Sequence, residues 1–587
     1  AALWKNDFEE WIMPNIRWSL FSAMILGVGI MMGGAWAYDS LSFGGYWAWD
    51  PVENSSLVPW LVMIAGLHTV IIYKATSFSL RTTLLFFILS FCFVLYSTFL
   101  TRTGILGDTS VHAFTGEGNT LFLHLVIFLF TFLGIGLFLL IKRYAVLPQA
   151  KKEEEELSSR EFWMFIGALI LIISVVQITY TTSMPVWNKM FDTKLVITDP
   201  IPHYNKIQVW IGIFIALLTA SIYYLKFKIS DWKKFLKAIS LPFILSLLFG
   251  GIIIYTQKIV SWQVAMLLVS AVFAVLANGF YLAKVQKTNW IKWGGNLAHL
   301  GFGLMLVGIV LSSYNKKVIS VNRLGVDFNL GKETAAENKK ESRENVLLFK
   351  GIPVKMDKYF LTYLGDTVDE PNHFYNIEYI HKEGDTGKIL ERFVLSPNAQ
   401  INPKMGLITN PSTKHYWHKD IFTYVTSTID KSKMQDTNSY KTQRVSKGDT
   451  VFFANGYMIF DGLNNKVDNK NYKNESGDIA ISAKIKIFDL EKNQSEVNPV
   501  YFIRGNAENF VIDTNKKLNL FVKLNKIFPN EKDKNIELAY KQPSAMDDYV
   551  IMKALVFPYI NVLWLGIIIM TIGFLLTLYK RILNKKL

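Results

Sequence analysis

The fold turns on the stretch Trp293-Gly294-Gly295-Asn296-Leu297-Ala298-His299-Leu300-Gly301-Phe302-Gly303-Leu304-Met305-Leu306-Val307-Gly308-Ile309-Val310-Leu311-Ser312-Ser313-Tyr314. It carries no charge, and a bilayer core needs roughly 20 such residues in a helix. The chain then changes character. Residues 314–552 are polar and rich in Asn and Lys, and they end on a further apolar run at 555–578. A membrane domain interrupted by a polar insert is expected, rather than a string of soluble domains.

Working back from that stretch, apolar runs of similar length occupy 17–37, 57–73, 82–100, 121–141, 161–180, 207–225, 238–256 and 262–283. The expectation is a polytopic α-helical membrane protein of about ten transmembrane helices. Its parts are 1–313, an insert over 314–552, and 553–587 with the final helix and a basic tail. Composition agrees: of 587 residues 51% are hydrophobic and 19% charged, where soluble proteins carry about a quarter charged. The insert alternates apolar and polar residues in short runs, at Val346–Phe349, Phe374–Ile380, Val451–Phe460, Ile479–Phe488 and Leu518–Leu524, punctuated by Gly, Asn, Asp and Pro. That pattern predicts a β-rich domain, with 329–345 and 463–477 as exposed loops and 150–160 as a solvated linker.

The net charge of +15 raises nucleic acid as a partner, but its distribution excludes it. Alternate connections are basic: Lys74 and Arg81; Lys142, Arg143 and Arg160; Lys226 to Lys237; Lys284 to Lys292; and the tail from Lys580. The loop 38–56 has no Lys or Arg, and 101–120 has only Arg102. The positive-inside rule places the basic set in the cytoplasm and the loops 38–56, 101–120, 181–206 and the insert outside. The single cysteine, Cys92, permits no intrachain disulfide and no Cys-X-X-Cys pair, so redox work requires a bound cofactor. The opening Ala1-Ala2-Leu3-Trp4 lacks an initiator Met and a signal-peptide pattern, which leaves a processed product, a split subunit or a missing start.

The loop after the first span reads Tyr38-Asp39-Ser40-Leu41-Ser42-Phe43-Gly44-Gly45-Tyr46-Trp47-Ala48-Trp49-Asp50-Pro51-Val52-Glu53-Asn54. An interfacial aromatic belt accounts for scattered Trp and Tyr at span ends. A platform for a planar ligand accounts better for Gly44 and Gly45 beside Trp47 and Trp49, because glycine admits close approach and indoles stack. Composition leaves both readings open. His68 and His299 lie within spans, where an ionisable group is costly and is a functional candidate by default. His68 precedes Lys74 and His299 follows Lys292 by similar intervals, so both should lie about 10 Å inside the cytoplasmic boundary. Two imidazoles at one depth suit the axial positions of a b-type haem, with Gly66, Gly301 and Gly303 giving the macrocycle room. The bland alternative is a histidine bonded to a neighbouring helix. His112, in the outward loop Thr101-Arg102-Thr103-Gly104 to Val111-His112-Ala113-Phe114, could ligate an iron resting on Trp47 and Trp49, with Arg102 pairing a propionate. His124 reads as structural, His203 as a loop residue, and His415-Tyr416-Trp417-His418 as β-domain surface.

Gly44-Gly45-Tyr46-Trp47-Ala48-Trp49-Asp50-Pro51-Val52-Glu53-Asn54 resembles the tryptophan-rich "WWD" haem-handling signature of cytochrome c biogenesis membrane proteins (the CcmF, CcsA and CcmC group), with Tyr46 at the first position of the Trp run. The wider arrangement is similar to the CcmF family of system I haem lyase subunits. The matching pieces are Gly34–Tyr38, His68, Thr98–Arg102 with Val111–Phe114, Ser159-Arg160-Glu161, Asn296–Gly301, and the insert before the final span. The resemblance implies a haem lyase in a bacterial inner membrane, or an organellar inner membrane, with the large domain in the periplasm. His68 and His299 would ligate a resident haem b. Trp47, Trp49 and Asp50 would belong to an outer platform for transient substrate haem, and His112 would be one of two outer axial ligands. Partners would be a CcmE-like haem chaperone, apocytochrome c with its Cys-X-X-Cys-His motif, and CcmH/CcmI-like thiol-handling subunits. The family's other outer histidine lies upstream of the Trp loop. No histidine precedes His68 here, so a truncated start or a separate chain carrying the missing helices is expected. Rival readings are a haem carrier or exporter without lyase activity, and a quinol-linked haem b oxidoreductase. A transporter is disfavoured, because no acidic residues line up within the spans.

Overall fold

The computed structural model describes every residue except 1, 41–43, 108, 111–118, 149–155, 287–289, 323–327, 329, 331–334, 385–386, 403–405, 429–439, 454–455, 468, 490–492, 506, 530, 532–535, 543–547 and 584–587. Among the described residues ten helices are long and apolar enough to cross a membrane, here called the first to tenth spans. They are Ile12–Ser40, Pro51–Thr76, Leu80–Arg102, Leu121–Arg143, Arg160–Thr182, Pro200–Tyr224, Trp232–Thr256, Trp262–Gln286, Gly294–Tyr314 and Ile560–Leu583. Large apolar side chains such as Ile127, Phe130, Phe138 and Ile141 stand exposed on them. A helix that is apolar all round belongs in lipid. The chain is a polytopic α-helical membrane protein with a β-rich region before its last helix.

Two compact units are present. The helical unit comprises Ala1–Ser320, Pro397–Tyr424 and Lys553–Leu587; the second comprises Val321–Ser396 and Val425–Met552. The insert expected over 314–552 is therefore divided, since Pro397–Tyr424 clusters with the helices. The last span also begins later than the apolar run at 555–578 predicts. Tyr549–Pro558 is a strand, with Val556 opposite Lys317 and Leu555 opposite Val318. A short apolar run reads equally as strand or helix. Here Pro558, which cannot donate to a ladder or continue a helix, and Tyr559 at φ 53° separate the two states.

The ninth and tenth spans make the tightest pair. They run antiparallel with Gly294, Gly301 and Gly308 facing Gly573, Gly566 and Leu563. A Cβ built on Gly301 would lie 2.6 Å from the Gly566 carbonyl oxygen and 2.7 Å from Met570 Cα; one on Gly573 would lie 2.7 Å from Ala298 Cα. Lipid tails are as apolar as leucine, so helices in a bilayer gain from close backbone approach, and small residues permit it. Polar side chains add a second tie. Asn296 Nδ2 donates to Asn278 Oδ1 (3.1 Å), Gln286 Nε2 donates to Asn296 Oδ1 (2.9 Å), and Asn278 Nδ2 donates to the Thr219 carbonyl (3.0 Å). This ladder links the sixth, eighth and ninth spans.

In the second unit the alternation expected from sequence becomes antiparallel sheet. Tyr359–Asp369 pairs with Asn372–Lys382, flanked by Val354–Met356 and Ile389–Leu395. Gly456–Asn464 pairs with Ile479–Asp489, and Leu520–Ile527 with Ile536–Lys541. The inward set (Met458, Phe460, Ile485, Ile487, Val522, Leu524, Leu538) forms one buried core. Within 329–345, expected as loop, Ala335–Arg343 is a helix; its Ala, Glu and Lys content favours that state on propensity alone.

Leucine at Gly301 or Gly573 should separate the ninth and tenth spans, overpacking a backbone contact at a cost of about 1–3 kcal/mol or more. Gly29, with no atom within 4 Å of a built Cβ, serves as control. Thermal unfolding in detergent, followed by size-exclusion recovery, should show lower midpoints for Gly301→Leu and Gly573→Leu and an unchanged one for Gly29→Leu.

Candidate functional site

The end of the Trp loop is also the start of a helix. Asp50 is the N-cap of the second span: its Oδ1 accepts the Val52 amide (2.9 Å), while Glu53 Oε2 accepts the Asp50 amide (3.0 Å), with Pro51 in the first turn. This is a capping box. Glu53 Oε2 reaches one step further, accepting the Ala48 amide (3.0 Å). Ser110 Oγ donates to Asp50 Oδ1 (2.7 Å), which docks the segment after the third span onto the Trp loop. Asp50 therefore serves as an organiser of backbone, with its carboxylate committed to these donors.

Trp49 sits at φ 57°, a left-handed conformation that costs a non-glycine residue on the order of 1–2 kcal/mol. Three contacts hold it there. Asn54 Nδ2 donates to its carbonyl (2.9 Å), its own Nε1 donates to Asn205 Oδ1 (3.0 Å), and its ring stacks on Tyr204 at 4.9 Å and 14°. Trp47 meets Trp49 edge-on, with centroids 5.7 Å apart. Tyr46 turns the other way, toward Ser312 and Ser313 (3.2 and 2.8 Å) and the Trp564 ring; burial pushes its phenol up. Among the described residues no atom lies within 4 Å of a Cβ built on Gly45.

Behind the loop lies a cavity of about 1080 Å³, entirely within the helical unit. Trp47 and Trp49 line one end. His68 and His299 line it further along, and Arg160, Lys292, Lys580 and Arg581 line the other end. The two imidazoles are parallel within 6°, with centroids 6.3 Å apart. Two metal–imidazole bonds of about 2 Å each, plus the inner half of each ring, give a separation of roughly 6 Å. His68 Nδ1 donates to the Ile64 carbonyl (2.8 Å), since a carbonyl only accepts, and this leaves Nε2 with its lone pair. A backbone carbonyl on the far nitrogen is the usual way a ligating histidine is oriented. His299 Nδ1 is buried with no partner among the described residues, and its ring lies 5.4 Å from that of Tyr223. These residues fit an iron macrocycle.

The glycines expected to make room for that macrocycle do another job. A Cβ on Gly66 would meet the Phe87 ring at 3.2 Å, one on Gly303 would meet Ala274 Cβ at 3.1 Å, and Gly301 faces the tenth span. They let helices approach, and the room comes from the cavity itself. Arg102 ends the third span, away from the cavity lining. His112 lies outside the described residues. His124 is exposed on the fourth span and His203 stands 3.5 Å from Thr181 Oγ1. His415, expected on the β-domain surface, donates from Nδ1 to Asp420 Oδ2 (2.8 Å) within the helical unit, where Tyr38 Oη also donates (3.1 Å); burial raises the Asp420 carboxyl. Among the described residues no group of three or more His, Cys, Asp or Glu could hold a bare metal ion.

Residues 5–106, which hold the Trp loop and His68, match the family model Cytochrome C assembly protein. The chain resembles the CcmF-type cytochrome c biogenesis proteins. It is 30% identical over 300 residues to CcmF of Escherichia coli (strain K12), covering 50% of this chain and 45% of that one. It is 31% identical over 337 residues to NrfE of Haemophilus influenzae, covering 55% and 50%. The chain spans about half the length of these curated relatives. A solved structure of Cytochrome c Heme Lyase CcmF shares the fold, with a TM-score of 0.55 at 18% identity over 98% of this chain and 68% of that one.

Several residues of this site carry no isolated signal in the sequence. Tyr204, Asn205 and Ser110 act on the Trp loop across more than 50 positions, and Tyr223 meets His299 in the same way. Glu53 does carry a local signal that the sequence reading missed, because Asp50-Pro51-Val52-Glu53 before an apolar run has the spacing of a capping box.

Since Asp50 acts as a cap, Asp50→Asn, which retains an acceptor, should keep most of the wild-type thermal stability. Asp50→Ala should lose about 1 kcal/mol from the cap and release Ser110 as well. Thermal midpoints of the two variants in detergent check this; equal losses in both would show that the charge, and not the cap, matters.

Proposed function

We propose that the chain is the haem-handling core of a cytochrome c maturation haem lyase. The observation that supports this best is the parallel pair His68 and His299 in a cavity whose far end is lined by Trp47 and Trp49. His68 Nε2 and the His299 ring would hold a resident haem b, which when bound supplies one-electron chemistry between ferric and ferrous iron. The capping box, Asn205 and Tyr204 fix Trp49 beside Trp47, and this pair offers substrate haem an apolar, rigid face. His112 would provide one axial ligand to that substrate iron.

Thioether attachment to a partner's Cys-X-X-Cys-His thiols then depends on holding the haem vinyl edge against them, and positioning of this kind lowers barriers by several kcal/mol. The lone Cys92 is buried, so the thiols come from the substrate. The basic connections point to a cytoplasmic inner end, with the Trp loop and the β-rich region on the periplasmic side of a bacterial inner membrane. A CcmE-like chaperone would deliver the haem, and CcmH/CcmI-like subunits would present the apocytochrome.

A pyridine haemochrome spectrum of the purified protein should show b-type haem that is lost in His68→Ala and in His299→Ala. Trp47→Ala/Trp49→Ala should keep that haem while abolishing c-type haem staining in cells that depend on this protein. Normal cytochrome c in the tryptophan variant would favour a quinol-linked haem b oxidoreductase instead.

A further inference from the structure

One end of the cavity is lined by a cluster of basic side chains. Arg160, Lys292, Lys580 and Arg581 line it together. Among the described residues none of them forms an ion pair with an Asp or Glu. The adjacent acid, Glu161, is buried and committed, with both carboxylate oxygens accepting the Lys228 amide (2.8 and 2.9 Å). Arg160 differs from a lysine reaching for water at a membrane edge. Its Nε is buried without a hydrogen-bond partner. Its guanidinium lies against the Tyr223 and Phe227 rings, 4.5 and 5.1 Å from their centroids. A guanidinium partly withdrawn from water in this way gains from an anion placed against it.

The geometry links this charge to the histidine pair. Tyr223 touches both Arg160 and His299, its ring 5.4 Å from the imidazole. We infer that this end of the cavity is a carboxylate anchor, in which Arg160, backed by Lys580 and Arg581, holds the propionates of a haem b ligated by His68 and His299. This rests on the proposed haem b site and deepens it by assigning an orientation. The guanidinium fork matches a carboxylate bidentately, a stronger and more directional bond than an ammonium offers. With the propionates held at Arg160, the rest of the macrocycle would lie against the apolar lining of the cavity, which also includes Asn205, Gln208 and the Trp loop. Arg160 acts here as a positioning residue.

The test uses the full-length protein purified free of haem and reconstituted with either haem b or haem b dimethyl ester, whose carboxylates are blocked. The readouts are the bis-histidine absorption spectrum and the rate of pigment loss to apomyoglobin. Wild type should lose the dimethyl ester about tenfold faster than haem b, the effect of one charge-assisted contact. Arg160→Leu should lose haem b faster than wild type does and narrow the gap between the two pigments, and Arg160→Lys should fall between. Should Arg160→Leu fail to fold, Arg160→Gln gives the same comparison. A wild-type protein indifferent to esterification, or an Arg160→Leu variant with wild-type preference, overturns the anchor and leaves the haem b reading standing. Absence of a bis-histidine spectrum with either pigment overturns the haem b reading, and the anchor with it.

Discussion

The rest of the membrane unit depends on one backbone contact, the glycine seam between the ninth and tenth spans. Gly294, Gly301 and Gly308 recur every seven residues on one helix, and Gly566 and Gly573 answer with the same interval on the other. A strict seven-residue repeat keeps one face toward the partner along the whole length, so the seam fixes rotation as well as distance. With its rotation set, the ninth span presents His299 to the cavity opposite His68. The seam also explains how a long insert can interrupt a membrane domain. The residues on either side of it, Lys317–Val318 and Leu555–Val556, are paired as strands, so insertion adds a closed loop to the bundle, and loop length is thermodynamically cheap.

At the other end of the cavity the same economy appears in a different form. Asp50 and Glu53 satisfy the orphan amides of a helix start, which any helix requires, and in doing so they set the backbone on which Trp47 and Trp49 stand. Strain at Trp49 is tolerated because Tyr204, Asn205 and Asn54 over-determine its position. Residues held in sparsely populated conformations by such surroundings cluster at binding sites. The shape of the Trp loop is therefore a property of three separated segments.

Local pattern carried the architecture. Ten apolar runs, the polar insert and its two-residue alternation were legible, because lipid and sheet each impose a short-range period on the chain. The misread segment is one where two periods agree: 555–558 is apolar enough to begin a span, yet it closes the strand Tyr549–Pro558, with its ladder partner at 317–318. His68 and His299 were legible as candidates from the cost of placing them in lipid, whereas their parallel 6.3 Å geometry is a long-range outcome of packing. Gly66, Gly301 and Gly303 were misassigned for the same reason. A glycine in a span signals close approach, and the sequence does not say whether the approaching group is a helix or a ligand.

The polarity of the cavity wall narrows what can fill it. Charge sits at one end in Arg160, Lys292, Lys580 and Arg581, and aromatic surface at the other in Trp47 and Trp49, with a few amides and hydroxyls such as Gln208 and Ser174 between them. Ser174 Oγ and Gln208 Oε1 are bonded to each other (2.8 Å), and Gln208 Nε2 to Gln177 Oε1 (2.7 Å), so much of this midsection's hydrogen-bonding capacity is already spent. A small hydrated solute would have to give up water along such a wall with little in return. A large flat apolar molecule with anionic groups at one edge gains burial along its body and charge pairing at its edge, the combination of apolar lining and few convergent polar groups that ligand sites share. The wall therefore disfavours a solute path and suits a flat apolar ligand with anionic groups at one edge, the chemistry on which the proposed haem site rests.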